Sequence, residues 1–327
     1  MDKVTKCVKE MIKNNPDRFA SSETPFAIAD LGCADGTNSV PIFDLVISLI
    51  REMNPDFPIN IFLNDTPSND FSLAMKKVSS ALEKYAKVWI YSSGKSFYEE
   101  LFPENSIDLM ISNSAVHWLP RSPGVISSIS CMLTEEVAET AEGKVWEKEA
   151  AKYWEQFLRL RQKELRTGGR LLITAPAISD PPSEDDIKLI NQAAGWKSCF
   201  LKALEKFDLK CDKDYNVPAV IRPLKYYKRV FDEKKTELQL IDSFIITHEQ
   251  IEPTNNPEVY SSRYVNWVRA IIAEILKSKM IQKGISEDLA SKVLDEFCYK
   301  ELTQYILQSD VPQKPLKVIF AGLEIKK

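Results

Sequence analysis

Two acidic residues and two glycines alternate in the stretch Ala29-Asp30-Leu31-Gly32-Cys33-Ala34-Asp35-Gly36-Thr37-Asn38. It follows a short apolar run at 26–31 and precedes an amphipathic stretch at 40–53. Glycines at such a junction let the backbone turn sharply and approach a ligand closely. The spacing is D-x-G-x-x-x-G, not the G-x-G-x-x-G that seats a pyrophosphate on a helix N-terminus. Asp30 at the strand end and Asp35 within the loop place negative charge where a phosphate would otherwise sit. That charge suits a cation with an amino-acid tail, and the sulfonium S-adenosyl-L-methionine is such a ligand. An ordinary strand-to-helix turn would use the same residues.

A second acidic strand end follows one unit later, at Asn64-Asp65. A carboxylate there can accept both hydroxyls of a ribose. Asp is also a common helix cap, so Asp65 alone reads either way. The third stretch is Ser112-Asn113-Ser114-Ala115-Val116-His117-Trp118-Leu119-Pro120. Trp118 offers one indole donor and a large apolar face, and His117 beside it can donate as well. Together they could orient a small carboxylate, or equally be a core tryptophan beside a satisfied histidine.

The rest of the chain narrows the chemistry. Only two histidines occur, His117 and His248, too few for a His-rich metal site. The six cysteines show no C-x-x-C spacing, so they read as thiols of a reducing compartment. With 327 residues, 44% of them hydrophobic, the chain can bury a sizeable core. Net charge is −4 with both signs dispersed, and no basic stripe points to nucleic acid. No apolar run approaches the roughly 20 residues of a membrane helix, and the first residues lack a signal-peptide core. The expected location is cytoplasmic, with no membrane or nucleic-acid partner and room for a homodimer.

The elements that must position these residues are short apolar runs at 26–31, 58–64, 88–92, 107–112, 170–176, 240–247 and 316–325. Helical stretches separate several of them, which predicts an α/β fold with a mostly parallel seven-stranded sheet. A long amphipathic helix is expected at 147–167, closed by Gly168-Gly169. Ser183 with Asp186 gives a capping-box-like helix start, and Ser286 with Glu287 and Asp288 begins a last helix. We therefore expect a cofactor-binding core over 1–180, with 121–150 contributing to a cap. Residues 181–290 are expected to form a mostly helical inserted cap, interrupted by a core strand near 240–247. Residues 291–327 should return to the sheet.

Taken together, these stretches resemble the SABATH (salicylate/benzoate/theobromine) family of S-adenosylmethionine-dependent carboxyl methyltransferases, with a Rossmann-like core. ADLGCADGTNS resembles that family's ADLGC-S-S-G-x-N motif, and IFLNDTPSNDF at 61–71 its I-x-L-N-D-L-P-x-N-D-F. SFYEELFP at 96–103, HWLPRSP at 117–123 and FLRLRQKELRTGG at 157–169 match further blocks in the same order. The resemblance implies that Asp30, Gly32, Cys33 and Asn38 surround the amino-acid end of S-adenosyl-L-methionine. It implies Asp65 on the ribose with Thr66 near the adenine, Ser96 and Phe97 flanking the adenine, and Asn113 and Ser114 along the route to the methyl group. Trp118, with His117, would hold the acceptor carboxylate.

Three departures shape the expected substrate. The family's N-terminal segment, with a Tyr and a Gln that close over cofactor and carboxylate, is expected to be missing, since residues 3–12 align after it. Family aromatics that sandwich the acceptor fall on Ser114 and Val220. Losing both predicts a pocket wider than one benzene ring, suited to a bulky or long-chain acid rather than salicylate or benzoate. A carboxylate is already ionised at neutral pH, so no general base and no metal are expected. Alignment alone can contribute on the order of 7–11 kcal/mol. N-methylation of a small heterocycle, a nicotinamide oxidoreductase and a non-catalytic cofactor-binding homologue are the alternatives.

Overall fold

The apolar runs assemble into a single sheet in a computed structural model that describes residues 1–20, 24–212, 214–308 and 316–327. In chain order the elements begin with α1 (Asp2–Asn14), α2 (Pro16–Ala20), β1 (Phe26–Leu31), α3 (Val40–Arg51), β2 (Ile59–Asp65), α4 (Phe71–Leu82), β3 (Val88–Gly94) and β4 (Ile107–Asn113). Then come β5 (Cys131–Met132), α5 (Glu135–Glu139), α6 (Ala141–Glu164), β6 (Leu165–Ala177), α7 (Glu184–Glu205), β7 (Val220–Ile221) and α8 (Leu224–Asp232). The remainder is β8 (Gln239–Ile251), α9 (Pro257–Gln282), α10 (Glu287–Glu296), a π-helical turn Phe297–Leu302, α11 (Thr303–Gln308) and β9 (Leu316–Lys326).

The seven-stranded sheet has the order β3-β2-β1-β4-β6-β9-β8. Neighbours are parallel except β9, which is antiparallel to both β6 and β8. From β1 the chain turns outward to β2 and β3, then crosses back to β4. That reversal opens a crevice at the carboxyl ends of β1 and β4, the place where such sheets bind ligands. β1 and β4 are buried on both faces, which is why their sequences are continuous apolar runs rather than alternating ones. Ile28 faces α1, α3 and α4 among Val8, Phe43 and Ile47, whereas Ala27 and Ala29 face α6 and α8 among Phe157, Leu158 and Tyr227.

All seven expected strands form, several of them longer at one end. The expected helix at 147–167 differs at both ends. α6 starts at Ala141, where the Thr140 hydroxyl caps the Gly143 amide at 2.9 Å, and it stops at Glu164. Leu165 is already paired with Ile107 in the sheet. The glycine pair serves the strand instead: the Gly168 amide bonds the Lys327 carbonyl and Lys327 bonds back to Gly169. Helices α7, α9 and α10 pack with the π-helical turn around Trp196, Phe200, Tyr264, Val268 and Phe297. The capping box of α7 forms as read, with Ser183 and Asp186 each bonding the other's backbone. A two-residue parallel pair, β5 with β7, was not foreseen.

Between β3 and β4 the chain at 95–106 forms no helix. A buried ion pair on α6 holds this loop. Arg161 donates to the carbonyls of Phe97 and Glu99 at 2.9 and 3.0 Å, and Glu164 accepts from the amides of Leu101 and Phe102 at 2.7 and 3.3 Å. Arg161 and Glu164 bond each other at 2.8 Å and are 0% and 1% exposed.

Candidate active site

A cavity of about 770 Å³ opens at the crevice and runs under α7 and α9. Its first half is lined by Gly32, Asp65, Thr66, Ser96 and Phe97, its middle by Ser114, His117 and Trp118. Three stretches far apart in sequence thus meet in one cleft.

Asn64 ties the first two together. It is fully buried, and its carbonyl accepts from the amides of Gly32 and Cys33 at 2.9 and 3.0 Å. Its side-chain amide donates to Ser93 and Lys95 carbonyls at 2.9 and 2.8 Å, so the ends of β1, β2 and β3 are fixed relative to one another. Asp65 accepts from the Ala34 amide at 2.8 Å with one oxygen and from the Thr66 amide at 2.7 Å with the other. The Thr66 hydroxyl also reaches Oδ1 at 3.4 Å, so Oδ2 keeps a lone pair for a ligand hydroxyl. Gly32 has φ +89°, and an added Cβ would overlap the Cβ of Ala115. The missing side chain therefore lets the acceptor turn lie directly against the glycine loop.

Several expected residues stand outside the cavity wall. Asp30 is 3% exposed and accepts from the Ser39 hydroxyl, with Oδ1 unpartnered. Burial raises its pKa to about 7. Cys33 is buried and its thiol is pushed up to about 12, again by burial, so it is no nucleophile at neutral pH. Asn38 is exposed at the start of α3. Asn113 accepts from the Thr174 hydroxyl at 3.0 Å. Asp35 forms an ion pair with Lys77, and that bond holds its carboxyl below the usual range. Its charge is thus met locally, and Asp65 is the acidic side chain lining this end of the cleft.

The half of the cleft around His117 and Trp118 is built by a turn stitched to a distant loop. Ser114 adopts φ +53° and donates its amide to Thr174. Trp118 bridges to Ala219, Leu119 donates to the Pro218 carbonyl, and Val220 donates to the His117 carbonyl. His117 is 7% exposed and its Nδ1 has no partner. Burial lowers its pKa to about 3, so the ring is neutral. The indole N–H of Trp118 makes no hydrogen bond to protein among the described residues, whereas those of Trp154 and Trp196 do.

Val220 requires a correction. It is 1% exposed and packs with Leu119, Ile126 and Trp146 behind the wall. In a strand successive side chains face opposite sides, so its neighbours Ala219 and Ile221 face the cavity instead. The aromatic surface absent at Ser114 and Val220 returns from the helices, since Trp196 and Trp267 line the cavity with ring centroids 5.8 Å apart. Sequence reasoning missed both, and also Tyr98, Asn69 and Gln250. Tyr98 had one signal, its place next to Phe97 in the SFYEELFP block.

Comparison with known proteins gives the family and the fold. A family profile described as SAM dependent carboxyl methyltransferase matches residues 1–309. A probable 7-methylxanthine methyltransferase of Theobroma cacao is 34% identical over 173 residues, covering 48% of each chain. Gibberellic acid methyltransferase 2 of Arabidopsis thaliana is 28% identical over 238 residues, covering 63% of this chain and 59% of that protein. The chain therefore spans about half to three-fifths of the length of these curated relatives. A solved loganic acid methyltransferase with SAH superposes with TM-score 0.76 at 19% identity, covering 100% of this chain and 91% of that one, which establishes the fold. The chain belongs to the SAM-dependent carboxyl methyltransferase (SABATH) family.

Proposed function

We propose that this protein methylates the carboxylate of a small-molecule acid, using S-adenosyl-L-methionine. The observation that carries the reading is the single cleft joining Gly32, Asp65 and Phe97 to His117 and Trp118. The first half fits the cofactor's chemistry. Gly32 lies on the cleft wall with no side chain to project into it, and Asp65 is held by two backbone amides so that the free lone pair of Oδ2 suits a ribose hydroxyl. Phe97 offers a ring face to an adenine, and Thr66 and Ser96 add polar atoms beside it. When bound, the cofactor supplies an electrophilic methyl on a sulfonium.

The second half fits an acceptor that needs no activation. His117 is neutral and Cys33 is protonated, so neither is a charged nucleophile or strong base. A carboxylate is ionised at neutral pH without help. The Trp118 N–H and a neutral imidazole N–H would hold it by hydrogen bonds, and Ala115 against Gly32 keeps the two halves in contact. The chain's contribution is alignment and exclusion of water.

N-methylation is a second reading, supported by the similarity to the probable 7-methylxanthine methyltransferase. A cytoplasmic location is supported by six unpaired thiols. Among the described residues no helix is long and apolar enough to cross a membrane. A homodimer is supported by the exposed aromatic pair Trp89 and Tyr91 on edge strand β3, and sedimentation velocity tests it. Calorimetric titration with S-adenosyl-L-methionine and with a nicotinamide dinucleotide tests the cofactor. Binding of the first alone is expected, and binding of the second alone would overturn the reading. An alkali-labile methyl product is expected from the acid reading and an alkali-stable one from N-methylation.

A further inference from the structure

The acceptor half of the cleft continues well past Trp118. From Ser114 after β4 it passes Pro176 near the end of β6, then Val318 and Phe320 on β9, and reaches Gln250 near the end of β8. These four strands are successive neighbours in the sheet. The floor therefore crosses three strand spacings of about 4.8 Å, or about 14 Å. The far wall exists because β8 and β9 outrun β6. β6 ends at Ala177 opposite Ile319, while the β8–β9 pairing goes on to Ile251 opposite Leu316. The roof is one side of α9, where Trp267, Ala270, Ile271, Glu274 and Ile275 recur at helical spacing.

Floor and roof are apolar apart from the exposed Glu274 on α9, and the end is polar at Gln250. Gln250 Nε2 lies 3.0 Å from His248 Nδ1. Gln250 lines this end of the cavity, and a contact made through its amide nitrogen leaves Oε1 without a protein partner among the described residues. An acceptor oxygen at the end of an apolar slot selects a donor on its ligand.

We propose that the acceptor is an aliphatic carboxylic acid with a hydroxyl at its far end, its carboxylate at Trp118 and its hydroxyl on Gln250 Oε1. Three strand spacings correspond to a chain of roughly ten to twelve carbons. The proposal rests on the carboxyl-methylation reading above.

The test measures kcat/KM for methyl-ester formation from hexanoate, benzoate, dodecanoate and 12-hydroxydodecanoate. We expect the twelve-carbon acids to exceed hexanoate and benzoate by roughly tenfold or more, given the apolar area buried per methylene. The hydroxyl should add a further severalfold, and Gln250→Leu should remove that increment. Ile271→Trp narrows the slot and should lower the long-to-short ratio roughly tenfold. Cofactor titration of each variant confirms that it is folded, and Ala270→Trp serves in place of an Ile271→Trp protein that is not. Benzoate or hexanoate as the best substrate, or a ratio unmoved by the slot substitution, overturns the slot while carboxyl methylation stands. Cofactor binding with no ester from any of the four acids overturns both.

Discussion

The Tyr98 hydroxyl donates to the carbonyl oxygen of Trp118 at 2.9 Å, and lies 3.4 Å from that of Val116. The residue before Tyr98 is Phe97, on the cofactor side, and the carbonyl belongs to the acceptor turn. This hydrogen bond therefore joins the two halves of the cleft, alongside the contact of Ala115 with Gly32. Tyr98 is 6% exposed, so little water reaches the bond. Tyr98→Phe should cost about 1–3 kcal/mol of stability, the scale of an unsatisfied buried acceptor. It should raise the acid's KM while cofactor affinity stays near normal, read by urea unfolding, steady-state kinetics and calorimetry. Equal losses of cofactor and acid affinity would count against the hinge role.

The buried pair Arg161–Glu164 separates folding from positioning. Removing one partner leaves an uncompensated charge, so Arg161→Met alone should cost about 3–5 kcal/mol. Replacing both, as Arg161→Met with Glu164→Leu, should recover much of that stability. It would not restore the four bonds to the loop at 97–102. The double variant should therefore unfold above the single variant but below the wild type, and bind cofactor more weakly than the wild type. Full recovery of cofactor affinity would show that the pair only fills space.

Asp30 and His117 give stability profiles of opposite sign. Burial raises Asp30 from 3.8 to about 7. Its contribution is complete below its unfolded value and is lost as pH rises toward 7. Burial lowers His117 from 6.5 to about 3, so its contribution is complete above 6.5 and is lost as pH falls toward 3. Between pH 4 and 6.5 the two slopes oppose each other. Asp30→Asn should leave stability rising with pH across that window and gain on the wild type above pH 7, by up to about 4 kcal/mol. His117→Gln should leave it falling. Urea midpoints at a series of pH values check both, and profiles parallel to the wild type would contradict the assignment.

Asp65 is tested through the cofactor alone. Asp65→Ala should weaken S-adenosyl-L-methionine binding by about 1.5–3 kcal/mol, the value of a hydrogen bond to a charged group. The same change frees the Ala34 amide, so Asp65→Asn is the control that keeps an acceptor oxygen there. Unchanged affinity in both would remove Asp65 from the ribose.

Much of the half of the cleft proposed for the cofactor was legible because its parts are local. A glycine that must hold φ +89° and an acidic residue at a strand end leave a mark within a few positions of sequence. β1 and β4 were legible because strands buried on both faces are continuous apolar runs, whereas the half-exposed β3 and β8 still carry enough apolar residues to stand out. The acceptor half was not, since Trp196, Trp267 and Gln250 reach it from separate elements of the later chain. Val220 was misplaced because a two-residue strand gives no alternation from which to read a face. The Arg161–Glu164 pair looked like an ordinary charged spacing on an amphipathic helix, and nothing in the sequence marks it as fully buried.

The most direct measurement is the mass of the product. The protein is incubated with S-adenosyl-L-methionine carrying a deuterated methyl group and a panel of carboxylic acids, with Trp118→Phe in parallel. Trp118→Phe keeps the apolar face and removes the donor, so it should bind cofactor normally and form ester more slowly. The account predicts an acid that gains the labelled methyl and loses it again to alkali, at a rate that falls in the variant. Cofactor binding with the label on nitrogen or on no acid at all, or ester formation indifferent to Trp118→Phe, would contradict it.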